Sequence, residues 1–232
     1  MRAVYVRKNG ADHNDGSSMH SPVRTIERAI ELLPVKSNVG LVVDIGDGTW
    51  TEDITIPAIQ FYGSSRYSRT ISTRIGLNGT GSSHLGLVIR GSAGPLRYGR
   101  GFSLPHDSAR FSPSPVDGDF DANANKVFHP NTALKGTIFC TPSSSLELNC
   151  LHLRGGLFSV GGGFVSGRAL VLSDSSIGFN LESHSDLWLD SALVDNTVPI
   201  KLKSFSNARL ALTSVLKNQP DIDTSSQLYL PK

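Results

Sequence analysis

The chain has 232 residues, with 22 Lys plus Arg against 20 Asp plus Glu, and 38% of its residues are hydrophobic. That length suits one large domain or two small ones, and the apolar fraction is that of a globular protein. A net charge of +2 gives no field for nucleic acid or an anionic membrane surface, and no apolar run approaches the roughly 20 residues that cross a bilayer.

Val4-Tyr5-Val6 alternates as a strand, and the start of the chain lacks the apolar stretch of a secretion signal. The expectation is synthesis in the cytoplasm without the usual secretory route. Asn9 to Ser17 is a turn-rich loop. Pro22 fits the first position of a helix, and Ile26, Ala29, Ile30 and Leu33 recur at helical spacing up to Pro34. The spacing predicts a helix over 22–33. Leu41 to Ile45 then reads as a strand, Gly46 to Trp50 as a turn, and Ile54-Thr55-Ile56 as the next strand. Asp12, Asn14 and Asp15 before Gly16 look like a calcium loop, but their ligand spacing is off by one, and they are expected to be turn residues.

This order of strand, Asn-Gly-x-Asp-x-x-Asp-Gly loop, Ser-Pro-x-x-Thr-Ile helix and Val-x-Asp-Gly-Asp-Gly-Thr-Trp resembles the N-terminal capping region of pectate-lyase-like right-handed parallel β-helix proteins. The quoted residues lie between positions 4 and 56. The superfamily includes polysaccharide lyases and hydrolases, adhesins, and phage tailspike and fibre proteins, so the resemblance implies a fold rather than an activity. Residues 1–40 would be a strand and capping helix, and 41–230 the β-helix, in one structural domain.

Between Ser92 and Asn131 the periodicity lapses into a segment rich in Gly, Pro, Ser, Arg and Asp, read as a long insertion over 92–131. Arg97, Arg100 and Arg110 interleave there with Tyr98, Phe102 and Phe111. Such a set would grip an acidic glycan or a neighbouring subunit, or be plain exposed loop. Asp117, Asp119 and Asp121 alternate, so an extended backbone would put three carboxylates on one side, where they would hold Ca²⁺ or simply be solvated. No other cofactor is expected. The histidines form no close ligand pair with another His or Cys. Cys140 and Cys150, the only cysteines, are read as two reduced packing or turn thiols.

The last third repeats about every 21 residues. A Leu-x-Leu pair recurs at Leu146, Leu170, Leu187, Leu210 and Leu228, at steps of 24, 17, 23 and 18, and a second register runs through Phe158, Phe179, Ile200 and Ile222. Short alternating strands separated by Ser, Asn, Asp and Gly are turns of a β-solenoid, stacked at about 4.8 Å per coil. The reading is an all-β, right-handed parallel β-helix of about seven coils with an N-terminal capping helix.

Alternation within the leucine strand turns Glu147, Val171, Trp188, Ala211 and Tyr229 outward. Val171, Trp188, Ala211 and Tyr229 form an apolar stripe, read as a subunit interface, a glycan-stacking platform, or a surface covered by the chain itself. The second register turns Ser159, Asn180, Lys201 and Asp223 outward, with Glu182 and Lys203 placed as an ion pair. Polysaccharide cleavage needs paired carboxylates, or Ca²⁺ with a base. Asp190 is the catalytic candidate, alone in its column with Asn149, Ser173 and Thr213.

The leading expectation is a homo-oligomeric structural or receptor-binding component of a phage-like particle, of the tail spike or fibre type. The resemblance implies a trimer, other virion proteins as partners, and host-surface glycan as receptor. The location expected is the virion, or the exterior by a non-classical route. The alternatives are a polysaccharide lyase or hydrolase and a non-catalytic glycan-binding adhesin.

Overall fold

The computed structural model describes residues 2–62, 87–92, 130–211 and 214–230. Among the described residues the fold is all-β, with parallel sheets and one short helix. The chain opens with β1 (Arg2–Val6) and a loop leading to α1 (Ile26–Glu31). This helix is shorter than the predicted 22–33. Thr25 is its N-cap, with Oγ1 accepting from the Arg28 N–H at 3.2 Å, while Val23 bridges to Val6 in parallel. Pro22 therefore lies in an extended approach segment. Asp12 fixes that approach by accepting the N–H groups of Arg24 and Thr25 at 2.8 and 2.9 Å. Burial opposes ionisation of Asp12, but these backbone donors and Arg28 hold its carboxyl below the usual range. Asp15 likewise accepts from the Ser17 N–H at 3.0 Å. Both are turn locks.

The strands β2 (Lys36–Ser37), β3 (Leu41–Ile45), β4 (Gly48–Thr51), β5 (Ile54–Ile56) and β6 (Gln60–Phe61) follow. The Gly46 to Trp50 segment, expected as a turn, enters β4 at Gly48. Next come β7 (Leu87–Arg90), β8 (Thr132–Lys135) and β9 (Ile138–Cys140). The Asn131 N–H donates to the Ser92 carbonyl at 2.9 Å, so the two flanks of segment 93–129 meet.

The remaining strands are β10 (Ser145–Leu153), β11 (Leu157–Val160), β12 (Phe164–Ser173), β13 (Ile177–Glu182), β14 (Asp186–Asp195), β15 (Val198–Leu202), β16 (Asn207–Leu210), β17 (Val215–Leu216), β18 (Asp221–Ile222) and β19 (Gln227–Tyr229). The largest sheet runs β1-β3-β7-β10-β12-β14-β16-β19, and another runs β18-β15-β13-β11-β9-β5. The long strands β10, β12 and β14 also serve a second row. Their later halves pair, with β8 beside β10 and β17 beside β14, and β4 beside β8. The chain thus visits three strand rows in a fixed order.

Corner residues make the order repeatable. Cys150 and Ala169 bend β10 and β12 with φ of 57° and 52°, a left-handed conformation that residues other than Gly seldom adopt. At the next corner the Asn196 side chain donates to the Ser175 carbonyl at 3.0 Å, and Asn218 to the Asn196 carbonyl at 2.7 Å. At the third, the Ser185 N–H donates to Ser206 Oγ at 3.2 Å and the Ser206 N–H to Ser226 Oγ at 3.1 Å. These side chains satisfy backbone groups that the rows leave over.

One continuous apolar core lies behind the rows, from Val4 and Ile26 to Leu210, with Trp50 and Phe179 the largest side chains buried in it. The helix packs on β1, β3 and β5. Among the described residues no helix is long and apolar enough to cross a membrane. Both cysteines are free and buried. Burial pushes each thiol up to about 12.

The observed register corrects the predicted columns. Leu146, Val165, Leu187, Ala208 and Leu228 share one position, spaced 19, 22, 21 and 20 residues apart. Leu170 and Leu172 belong instead to the row after the Ala169 bend, where Leu170 pairs with Leu151 and Ala192. Val171 is therefore aligned with His152 and Leu193 and is buried, and it is not in the column of Trp188. Ala211 follows β16, its N–H donating to the Leu189 carbonyl at 2.8 Å. In the other register Leu157, not Phe158, aligns with Phe179 and Ile200. Ser159 is buried, Phe158, Asn180, Lys201 and Asp221 share the outward column, and the ion pair formed there is Lys201–Asp221 at 3.2 Å.

Candidate functional site

Two outward columns run side by side on the largest sheet. The first contains Val42, Val88, Glu147, Ser166, Trp188, Arg209 and Tyr229; the second contains Asp44, Arg90, Asn149, Arg168 and Asp190. Alternation puts both on the face away from the core, two residues apart along each strand.

The second column is neutralised within the chain. Asp44 accepts from Arg7 at 2.7 Å on one oxygen and from Arg90 at 2.5 and 3.1 Å on the other. Arg168 Nε lies 3.2 Å from Asp190, and the two side chains are only 15% and 17% exposed. Asp190 is thus a carboxylate held by a guanidinium in its own column. Of its predicted neighbours, Asn149 is in the column, Ser173 pairs with Asp195 in another row, and Thr213 lies outside the described residues.

The first column opens into a groove of about 300 Å³ lined by Phe164, Asp186, Trp188, Asn207, Arg209 and Tyr229. Trp188, Arg209 and Tyr229 occupy one register on β14, β16 and β19, so successive side chains are about 4.8 Å apart. The Arg209 guanidinium lies 5.1 Å from the Tyr229 ring centroid, a cation–π contact that holds it over the groove. At the other edge Asn207 Nδ2 donates to Asp186 Oδ1 at 3.1 Å, and the Tyr229 hydroxyl bonds to Gln227 Oε1. Among the described residues neither Asp186 nor Arg209 is in an ion pair. The arrangement offers aromatic faces, a carboxylate acceptor, an amide and a guanidinium donor within one concavity. Trp188 also borders a smaller depression with Glu147, Ser166, Arg168 and Asp190.

Of the predicted stripe, the structure brings Trp188 and Tyr229 together and leaves Val171 and Ala211 out of the groove. Arg97, Tyr98, Arg100, Phe102, Arg110 and Phe111, and with them Asp117, Asp119 and Asp121, lie outside the described residues. Among the described residues no group of three His, Cys, Asp or Glu side chains is placed to hold a metal ion. Elsewhere, Phe139 and Phe158 stack at 5.6 Å on the third row, with Phe139 exposed.

Sequence reasoning missed Asn207 and Arg209, and it read Asp186, the first residue of β14, as a turn residue. Arg209 was hidden because placing Leu210 at the first leucine position, which Ala208 occupies, shifts the column by two residues to Ala211. The serine ladder, Ser185, Ser206 and Ser226, carried the correct register in its spacing of 21 and 20 residues. The chain matches no family model, no curated protein and no solved structure.

Proposed function

We propose that the chain is a right-handed parallel β-helix that binds glycan at the Trp188 groove and serves as a receptor-binding, tail spike or fibre-type component of a phage-like particle. The β-helix reading is supported by three strand rows visited in fixed order with parallel register, and by α1 packed on β1, β3 and β5. The particle setting, a homotrimeric assembly and a virion location come from the resemblance of the cap residues. For assembly, the exposed Phe139, stacked on the half-buried Phe158, is better suited than the Trp188 column. A monomer in sedimentation equilibrium would remove the trimer.

The observation that carries the glycan reading is the union of Trp188 and Tyr229 with Asp186, Asn207 and Arg209 in one groove. Sugar rings present C–H faces that stack on aromatic rings and hydroxyl edges that need paired donors and acceptors. This groove supplies both. Saturable binding of oligosaccharides by the full chain, read as a change in Trp fluorescence, tests it. The expected result is loss of that binding in Trp188→Ala, with folding retained. Binding that survives in Trp188→Ala would move the site elsewhere.

A second reading, a polysaccharide hydrolase, has one observation in its favour: Glu147 and Asp190 border the same small depression. They stand two strands and two residues apart, which puts their backbones about 12 Å from each other. Inverting hydrolases hold their carboxyls about 6.5–9.5 Å apart. Glycan cleavage that Asp190→Asn abolishes would establish this reading over simple binding.

A further inference from the structure

We propose that the Trp188 groove selects a neutral hexopyranose glycan and discriminates against uronic-acid polymers. This inference rests on the glycan-binding reading and adds the ligand's charge class. Its basis is the balance of the two charged groups that line the groove. Asp186 and Arg209 both border it, and among the described residues neither is spent on an ion pair. Among the described residues the groove therefore presents one negative and one positive group, which balance.

A neutral sugar satisfies both groups at once. Its hydroxyls donate to the Asp186 carboxylate and accept from the Arg209 guanidinium, and hydrogen bonds to ionised partners are the stronger kind. The same arrangement penalises an anionic sugar. Its carboxylate gains at Arg209 but meets Asp186 in the same concavity, and like charges brought together are strongly disfavoured. Two neighbouring features keep this balance from shifting. Asn207 Nδ2 donates to Asp186 at 3.1 Å and fixes the carboxylate at the groove edge. Arg168, which lines the smaller depression beside Trp188, is paired with Asp190 at 3.2 Å. Stacking of Arg209 on Tyr229 at 5.1 Å leaves the guanidinium edge as its hydrogen-bonding surface. Trp188 then takes the apolar face of the sugar ring, beside the Arg209–Tyr229 pair.

The test is a titration of the full chain with neutral gluco-, galacto- and manno-hexasaccharides and with hexagalacturonate, at low and at physiological salt. At least one neutral hexasaccharide is expected to bind roughly tenfold or more tightly than hexagalacturonate, with less than about a twofold change between the two salt concentrations. Asp186→Asn is expected to weaken neutral binding about tenfold and to narrow the gap to the uronate; Arg209→Gln is expected to weaken neutral binding by a similar factor. Both side chains are on the surface, so unfolding curves matching wild type will show that the variants fold. Tighter binding of hexagalacturonate, or binding that collapses with salt, overturns the neutral-sugar inference and leaves the glycan reading standing. Absence of binding by every sugar, with Trp188 fluorescence unchanged, overturns both.

Discussion

The two outward columns of the largest sheet run side by side from β3 to β14, the one through Trp188 continuing onto β16 and β19, and they differ in how their charges are spent. In the column from Asp44 to Asp190, Asp44 is gripped by Arg7 and Arg90, and Arg168 is paired with Asp190. In the column from Trp188 to Tyr229, Arg209 rests on an aromatic ring, and a groove lies over it. Charge satisfied within the chain holds strands in register; at the groove over the Trp188 column, among the described residues, Asp186 and Arg209 are in no ion pair. The first column is structural, and the second is where recognition is sought.

Breaking the structural column should have the larger effect on stability. Asp44→Ala leaves two guanidinium groups against the sheet without their shared carboxylate, whose side chain is only 13% exposed. Removing one partner of a well-shielded ion pair costs more than the pair is worth, because the remaining charge is uncompensated. An expected loss of about 3 kcal/mol, allowing for the partial exposure of both arginines, should appear as a lower denaturant midpoint with an unchanged slope. Glycan affinity should not move. Trp188→Ala should do the reverse, costing about 1 kcal/mol of stability for a half-buried surface side chain while removing sugar binding. If Trp188→Ala proves as destabilising as Asp44→Ala, Trp188 belongs to the scaffold and the contrast between the columns fails.

Legibility in the sequence followed the same division. The inward positions repeat because each must fill the same core, so Leu146, Leu148, Leu187 and Leu189 announced short alternating strands. Register between strands was harder to read. β10 and β12 each carry two inward pairs, one on either side of a left-handed bend at Cys150 or Ala169, and nothing in the composition of Leu170-Val171-Leu172 says which side of the bend it occupies. A slip from one side to the other moves every outward residue to a different row. Trp188 and Tyr229 survived it because their own strands were correctly aligned, whereas Val171 did not. The helix was overextended for a related reason. Ile26, Ala29 and Ile30 are a helical pattern, but the approach to α1 is held extended by Asp12, which captures the N–H groups of Arg24 and Thr25, and the first helical N–H groups, of Ile26 and Glu27, donate to Glu52.

The smallest expected effect concerns a satisfied carboxylate at a corner, and its sign follows from its partners. Asp223 accepts the Ser204 N–H at 2.7 Å and, on its other oxygen, the Ser225 N–H at 3.0 Å and the Ser225 hydroxyl at 2.8 Å. Led by the Ser204 donor, these bonds lower its carboxyl from 3.8 to about 2. A carboxyl depressed by folding contributes stability that is fully present above its unfolded value and is lost as pH falls through its folded value. The contribution should therefore be intact above about pH 4 and disappear as the pH approaches 2. Asp174 titrates in the same sense through its bond to Arg154, as do Asp12 and Asp15, so wild type should lose stability steadily across this window. Asp223→Asn keeps the size and one acceptor oxygen but not the charge. It should be less stable than wild type at pH 7, and the two denaturation midpoints should converge near pH 2. A constant gap down to pH 2 would mean that the carboxylate charge is not what locks this corner, and that the turn from β18 to β19 is held by the serine ladder alone.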